Sequence, residues 1–345
     1  MSRYETTMAE LAGLLAGEPA YRARQVWEGL YRQGVGPEAL TTLPRALRER
    51  LAAEPALAPA LRVDAEVEAD GGDTQKWRWA LGDGRMIETV LMHYPGRTTV
   101  CVSSQAGCAM ACGFCATGQA GFQRNLTAGE IVEQVVRAGA EARRRGRRLS
   151  NVVFMGMGEP LANYDKVWAA IERLHADVGL SARHLTVSTI GIVPGIRRLA
   201  AAPLPVNLAV SLHAADDDLR AELVPVSRRY PLDALLDACE AWVAAKGRRL
   251  SFEWALIAGV NDRPQDAARL AVLARRVRAH VNLIPLNPTP GYPVAGTAPA
   301  GVRAFCRLLT SLGVNATVRR NRGTDIDAAC GQLAVRAGTG PDRPD

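Results

Sequence analysis

A chain of 345 residues with 48% hydrophobic and 22% charged side chains is long enough for one large catalytic unit and a smaller one, and has the composition of an ordinary soluble globular protein. No apolar run reaches the length of a membrane span, and Met1-Ser-Arg-Tyr-Glu-Thr-Thr lacks a signal peptide's basic start and apolar run, so a cytoplasmic protein is expected. A net charge of +7 favours a polyanionic partner without demanding one, and an odd count of seven cysteines argues against a disulfide framework.

Residues 1–60 read as a small helical unit, with apolar-periodic stretches at 8–15, 25–31 and 43–51 and a local excess of cations at Arg22, Arg24, Arg45, Arg48 and Arg50. Pro55 and Pro59 break the pattern and open a linker. Residues 76–81 and 85–92 alternate on either side of Gly82-Asp83-Gly84, a hairpin signal. Strands and helices then alternate. Strands are expected at 98–103, 151–155, 184–188, 206–212, 249–257 and 281–284. A helix opens on the capping box Thr127-Ala-Gly-Glu130 with the stripe Ile131, Val132, Val135 and Val136. Others run through 167–174, behind Pro231, and along Val302, Phe305 and Leu309. About six such units imply an α/β fold, an incomplete (β/α)6 barrel whose active site lies at the C-terminal strand ends. The expected division is 1–60 helical, 61–97 linker and hairpin, 98–336 partial barrel and 337–345 tail.

The first expected barrel strand is followed by Cys108-Ala-Met-Ala-Cys112-Gly-Phe-Cys115. Three thiolates in one loop leave one iron of a cubane [4Fe–4S] cluster free for a small molecule, and Phe114 would shield the cluster. Zinc would want a fourth ligand and C-x2-C pairs. After the second strand comes Gly156-Met-Gly-Glu-Pro160, where Glu159 offers a carboxylate to a cation and Gly158 a close backbone approach. Ser188, then Ser211-Leu212-His213, then Asn287 follow strands three, four and six; each alone could be a cap or turn residue, but they share one end of the sheet. Cys330 lies in a Gly- and Asp-rich loop. Cys101, in a strand, could be a small core residue, and Cys239 and Cys306 fall on apolar helix faces. Arg143, Arg144, Arg145, Arg147 and Arg148, like Arg319, Arg320 and Arg322, suit either a solvated surface or phosphate contact.

The pattern C-x3-C-x-aromatic-C after the first strand of a β/α repeat resembles the radical S-adenosylmethionine superfamily. The resemblance implies that the open iron binds the amino and carboxylate groups of S-adenosylmethionine, with Gly158 and Glu159 holding the ammonium and Ser188, Ser211, Leu212, His213 and Asn287 adding contacts. Ser103-Ser-Gln-Ala-Gly-Cys108, Gly121-Phe-Gln-Arg-Asn-Leu126, Met155-Gly-Met-Gly-Glu-Pro160, Ser211-Leu-His213 and Asp325-Ile-Asp-Ala-Ala-Cys-Gly-Gln332 are more specific. Together they resemble the RlmN/Cfr family of rRNA adenine methyltransferases from about residue 20 to 336, and Tyr21-Arg-Ala-Arg-Gln25 matches its small N-terminal RNA-binding unit.

That resemblance implies methylation of C2 of adenine 2503 in 23S rRNA, and of adenine 37 in tRNA. Two S-adenosylmethionine molecules are used per turnover. Cys330 carries the methyl as S-methylcysteine in a ping-pong sequence, and Cys101 resolves the adduct as a transient Cys101–Cys330 disulfide. Glu88 is a candidate proton acceptor, beside the alternative of a solvent-facing strand residue. A one-electron donor such as flavodoxin and a monomeric state are expected. Arg322-Gly323 before Thr324 resembles the C2 group; residues 188–192 occur in C8-methylating forms as well, so C8 of the same adenine stays open. A non-catalytic iron–sulfur regulator that binds RNA is a different class of reading, but it leaves Cys330 without a role.

Overall fold

The computed structural model describes residues 2–289, 291–319 and 322–333; Arg320 and the expected tail 337–345 lie outside the described residues. Three short helices come first, α1 (Met8–Leu14), α2 (Tyr21–Glu28) and α3 (Arg45–Ala52). Thr7 and Glu10 close a capping box on α1. The stretch expected at 25–31 starts earlier, at Tyr21, and runs into a π turn, Gly29–Gln33, ended by Gly34 at φ 70°. Trp27 Nε1 donates to Asp177 Oδ1 at 3.1 Å, and Arg173 Nη2 to the Glu5 carbonyl at 3.2 Å. Leu11, Val26 and Leu30 belong to the same apolar core as the strands that follow.

Pro55 opens a 3-10 turn, Pro55–Leu57, that leads directly into β1 (Leu61–Ala69). With β2 (Thr74–Leu81), β3 (Met86–Tyr94) and β4 (Arg97–Cys101), β1 forms an antiparallel meander, so the expected hairpin is its central pair. β1 falls in the expected linker, yet Leu61, Val63, Ala65, Val67 and Ala69 alternate with polar residues as a strand does; only its ends are buried, with Val63 and Val67 exposed along with Arg62 and Glu66.

β4 is also the first of the parallel strands. The small hairpin β5 (Gln105–Gly107) and β6 (Phe122–Asn125) brackets α4 (Ala116–Gln119) and precedes α5 (Ala128–Arg144). Then come β7 (Leu149–Phe154), α6 (Tyr164–Ala176), β8 (Leu185–Thr189), α7 (Val193–Ala201), β9 (Asn207–Ser211), α8 (Asp217–Leu223) and α9 (Leu232–Lys246). The last elements are β10 (Ser251–Leu256), α10 (Pro264–Arg276), β11 (His280–Pro285), α11 (Pro299–Ser311) and the edge strand β12 (Ala316–Val318). Strand order is linear from β1 to β12 with β5 and β6 set aside, so the sheet is open. Helices α7, α8 and α10 are additional to those expected from the sequence. In α10 the buried positions include Ala267, Ala271 and Ala274, which give a weak apolar stripe.

Gln134 of α5, fully buried, accepts from the Ser103 backbone N–H at 2.8 Å and donates to the Ser103 carbonyl at 3.0 Å. The Ser103 hydroxyl donates to the Glu88 carbonyl and accepts from the Met157 N–H. One residue thus joins β3, the end of β4 and the loop after β7. Gly156 in that loop approaches the main chain so closely that a Cβ would stand 2.8 Å from the Val102 carbonyl and 2.9 Å from the Ser103 nitrogen. Backbone atoms cannot yield as a side chain can, so Gly156→Ala is expected to cost about 2 kcal/mol. Thermal melting of the cofactor-free variant checks this; an unchanged Tm contradicts it.

Candidate active site

The cysteine loop is shaped by its backbone. At Gly107, φ 74°, a Cβ would sit 1.9 Å from the Gly121 carbonyl oxygen, and Cys108 N donates to that oxygen at 2.9 Å. Cys115 N donates to the Cys112 carbonyl at 3.1 Å, and α4 starts at the next residue. Burial pushes the Cys108 thiol up to about 12 and Cys112 well above its ordinary value, the neighbouring thiols adding to both. Such sulfurs stay protonated until a cation displaces the proton. Phe114 is buried beside them, its ring edge-on to His213 at 4.9 Å.

All three cysteines line one cavity of about 170 Å³. Among the described residues no three His, Cys, Asp or Glu side chains close on a common point. Three thiols from one loop that line a single cavity suit a cubane, in which each thiolate takes a different iron.

The opposite wall comes from the ends of β7 to β11. Glu159, Gly158, Ser188, Ser211, His213 and Asn287 all line this cavity. Glu159 is buried; its Oε1 accepts from Leu161 N at 3.0 Å and Oε2 from Ile190 N at 2.9 Å. Burial raises its pKa to about 7 against these hydrogen bonds and one from Thr189, which favour the charged form. Gly158, φ 99°, has no room for a Cβ, which would lie 2.5 Å from Gln105 Cβ. Gln105 in turn accepts from Glu159 N at 2.8 Å. His213 holds φ 60° and accepts at Nδ1 from Ala255 N at 3.0 Å. Burial drives its pKa down to about 3, so it is neutral with the proton on Nε2. Leu212 does not reach the cavity. Its side chain is fully buried in the core and its carbonyl accepts from Arg220 Nε.

The loop that carries Cys330 is stapled across the cavity. Asn287 Nδ2 donates to the Cys330 carbonyl at 3.0 Å, Ala116 N to the Gly331 carbonyl at 2.8 Å, and Thr117 Oγ1 to the Leu333 carbonyl at 2.5 Å. Cys330 lines the main cavity and also a smaller one of about 40 Å³ that contains Cys101. Cys101 is paired in the sheet with Val90 and Val153. Its thiol is pushed up to about 12 by burial and by Cys330, while Arg319 favours the thiolate. Cys239 is fully buried in the core, and Cys306 is half-buried with its thiol on the Ala316 carbonyl.

Glu88 is not solvent-facing: it is buried on β3 and pairs with Lys76 Nζ at 3.2 Å. Lys76 also donates to the Asp327 carbonyl at 3.3 Å, so Glu88 reaches the Cys330 loop through a cation. Glu253 carries no local signal, and Arg319 reads from the sequence only as part of a basic run. Arg319 and Glu253 line the main cavity, 3.6 Å apart, and Glu253 also accepts from Ser251 Oγ and Asn282 Nδ2 at 2.8 Å. Arg319 therefore faces thiols as well as surface. The other cations mostly hold protein: Arg144 and Arg145 pair with Glu141, Arg147 with Asp73, Arg143 donates to the Gln33 carbonyl, and Arg322 stacks over Tyr94 at 4.5 Å.

Residues 102–271, which hold the thiol loop and the wall as far as β10, match the family model described as the radical SAM superfamily. The cavity is thus that of a radical S-adenosylmethionine enzyme. The likeness extends over nearly the whole chain. It is 49% identical to a probable dual-specificity RNA methyltransferase RlmN of Roseiflexus sp. (strain RS-1), over 97% of this chain and 96% of the relative. It is 54% identical to the one from Frankia casuarinae, over 95% of this chain and 81% of that one. A crystal structure of a radical SAM methyltransferase from Sphaerobacter thermophilus matches with TM-score 0.92 at 51% identity, over 96% of this chain and 99% of that one. The chain belongs to the RlmN family of radical SAM methyltransferases.

Proposed function

We propose that this enzyme methylates RNA at C2 of adenine, in 23S rRNA at adenine 2503 and in tRNA at adenine 37, through a methyl carried on Cys330. The carrying observation is the position of Cys330, which is shared between the cavity of the cysteine triad and the small cavity of Cys101. The printed names of the relatives, dual-specificity RNA methyltransferases, support the substrate class.

Cys108, Cys112 and Cys115 would hold a [4Fe–4S] cluster, and Gly158, Glu159, Ser188, Ser211, His213 and Asn287 would surround S-adenosylmethionine, two molecules per turnover. When bound, these groups supply the methyl and a one-electron start to radical chemistry. Cys330 takes up the methyl as a thioether, because C2 of adenine is too electron-poor to take it as a nucleophile. Arg319 faces the developing thiolate. The Cys330 loop, pinned by Asn287, Ala116 and Thr117, keeps that sulfur at the cavity. When the base is to be released, the Cys101 thiolate attacks Sγ of Cys330. The S–S bond forms as the S–C bond breaks; the electron pair stays with the adduct, whose former S-bound carbon takes up a proton while ring C2 gives up its own to a base, leaving the methylated adenine. A dithiol reductant then restores both thiols. Glu88 enters as the partner of Lys76 against the same loop.

The target base must leave its stack to reach this cavity, and residues 1–60, which share one core with 61–97 and 98–336, would grip RNA by shape and charge. The enzyme is proposed to act as a cytoplasmic monomer with a donor such as flavodoxin; no helix among the described residues is long and apolar enough to cross a membrane.

The reconstituted protein should convert a 23S rRNA fragment and tRNA to products whose nuclease digests contain 2-methyladenosine. Digests with 8-methyladenosine would replace C2 by C8. Cofactor never cleaved to 5′-deoxyadenosine with RNA present would leave only an RNA-binding iron–sulfur protein.

A further inference from the structure

Arg220 on α8 is the most deeply buried cation of the described residues, with no exposed surface. Its Nη2 donates to the Ile190 carbonyl at 2.6 Å and its Nε to the Leu212 carbonyl at 3.2 Å. Its Nη1 is buried and has no hydrogen-bond partner among the described residues. Among the described residues no carboxylate lies within ion-pair distance of it: Asp217, on the same helix, acts on it at longer range and spends Oδ1 on Leu232 N at 2.8 Å. A fully buried guanidinium with no close ion pair is costly, since desolvation of an ion is several kcal/mol. An anion near its unpartnered Nη1 would offset that cost.

The surroundings say which anion. Ile190, whose carbonyl Arg220 holds, packs in one apolar cluster with Cys112, Phe114, Leu223 and Val224. Gly191 keeps the approach open, since a Cβ there would stand 3.0 Å from Arg220 Nη2. The same Ile190 donates its N–H to Glu159 Oε2. Burial draws the Arg220 pKa down to about 10, and Asp217, then Cys112 and Cys239, oppose that. Arg220 does not line the main cavity, so it meets no bound molecule directly. It lies behind the cysteine loop.

We propose that Arg220 is the buried counter-charge of an anionic iron–sulfur cluster on Cys108, Cys112 and Cys115, and that it sets how readily the cluster accepts an electron. The proposal rests on the cluster reading of those cysteines. One electron from a low-potential reductant adds one negative charge to the cluster, with no bond made or broken. A fixed cation nearby favours that reduced form more than the oxidised form. Arg220 is a positioning residue in this sense, acting through the field at Cys112.

The test uses the full chain, reconstituted anaerobically, as wild type, Arg220→Met and Arg220→Lys. Iron and sulfide per chain are measured, then an EPR-monitored titration with dithionite. With the cluster present, Arg220→Met is expected to lower the reduced-to-oxidised ratio at fixed potential about tenfold, equal to about 59 mV for one electron. Arg220→Lys, which keeps the charge, should stay close to wild type. A full cluster with an unmoved ratio in Arg220→Met, or equal shifts in both variants, would overturn the proposal. If Arg220→Met takes up no cluster, melting of the cluster-free proteins decides. A melt matching cluster-free wild type supports a lost counter-charge, and a collapsed one shows a purely structural tie and overturns it. A wild-type chain that binds no iron removes the cysteine reading and this inference together, whereas a normal cluster with an unmoved ratio removes the inference alone.

Discussion

Cys330→Ala is expected to lower RNA methylation on the order of 10⁵-fold, as loss of a covalent nucleophile does, while the chain still folds. Cys330 is half-buried and its loop is held through the backbone, by the carbonyls of Cys330, Gly331 and Leu333, so truncating the side chain leaves those ties. The Cys101→Ala variant should fail differently. It can still load a methyl on Cys330 and attach the base, but lacks the thiol that breaks the S–C bond. A protein–RNA adduct should therefore accumulate in Cys101→Ala, be absent in Cys330→Ala, and be absent in the double variant. Gel shift under denaturing conditions and mass spectrometry of the Cys330 peptide read this directly. Methylation that survives Cys330→Ala ends the relay mechanism; absence of adduct in Cys101→Ala removes Cys101 as the resolving thiol. Cys101 is buried at 8% exposure between Val90 and Val153, so its loss costs about 1 kcal/mol in packing, too little to mimic the effect.

The contrast between these cysteines and the rest of the site shows where sequence reading stops. Cys108, Cys112 and Cys115 are legible because one loop supplies all three ligands, so the chemistry is written as a spacing. Glu159 and the strand-end residues follow from the repeat, which puts each at the same end of the sheet. Gln134 is different: it looks like one more polar position on α5, and only its partner Ser103, 31 residues away, reveals a clamp. Arg319 reads as one of a basic run, but Glu253 and the two thiols draw it inward. The run at 143–148 was open between surface and phosphate because glutamate and aspartate partners come from α5, β1 and the turn before β2. β1 alternates apolar and polar residues over its whole length, but its apolar positions Val63 and Val67 stay exposed, so the pattern does not mark a core strand. Residues whose role is set by a partner distant in the chain have no local signature.

Glu159→Gln should weaken S-adenosylmethionine binding by about 100-fold, the scale of removing one partner of a buried charged contact. The two oxygens of the carboxylate accept from two separate backbone N–H groups, of Leu161 and Ile190. An amide offers one oxygen and turns an NH2 toward the other donor, so the variant loses a hydrogen bond as well as a charge. The pH dependence distinguishes the charge from the shape. Without cofactor the pKa of Glu159 is about 7, raised by burial from the ordinary 4.5. Between those values the folded protein binds more protons than the unfolded chain, so this group's share of stability is greatest below pH 4.5 and declines as pH rises toward 7. An ammonium placed beside the carboxylate favours the charged form and draws the pKa back down. Binding to the reconstituted enzyme should therefore release protons near neutrality. Affinity should rise with pH from about 6 to 7, by up to about tenfold per unit, and level off above. Calorimetry in buffers of different ionisation enthalpy measures the released proton, and equilibrium dialysis the affinity. Glu159→Gln should abolish both the proton release and the slope. A wild-type affinity flat from pH 6 to 8 would mean that the cofactor's cation lies elsewhere and that Glu159 serves only to tie Leu161 to Ile190.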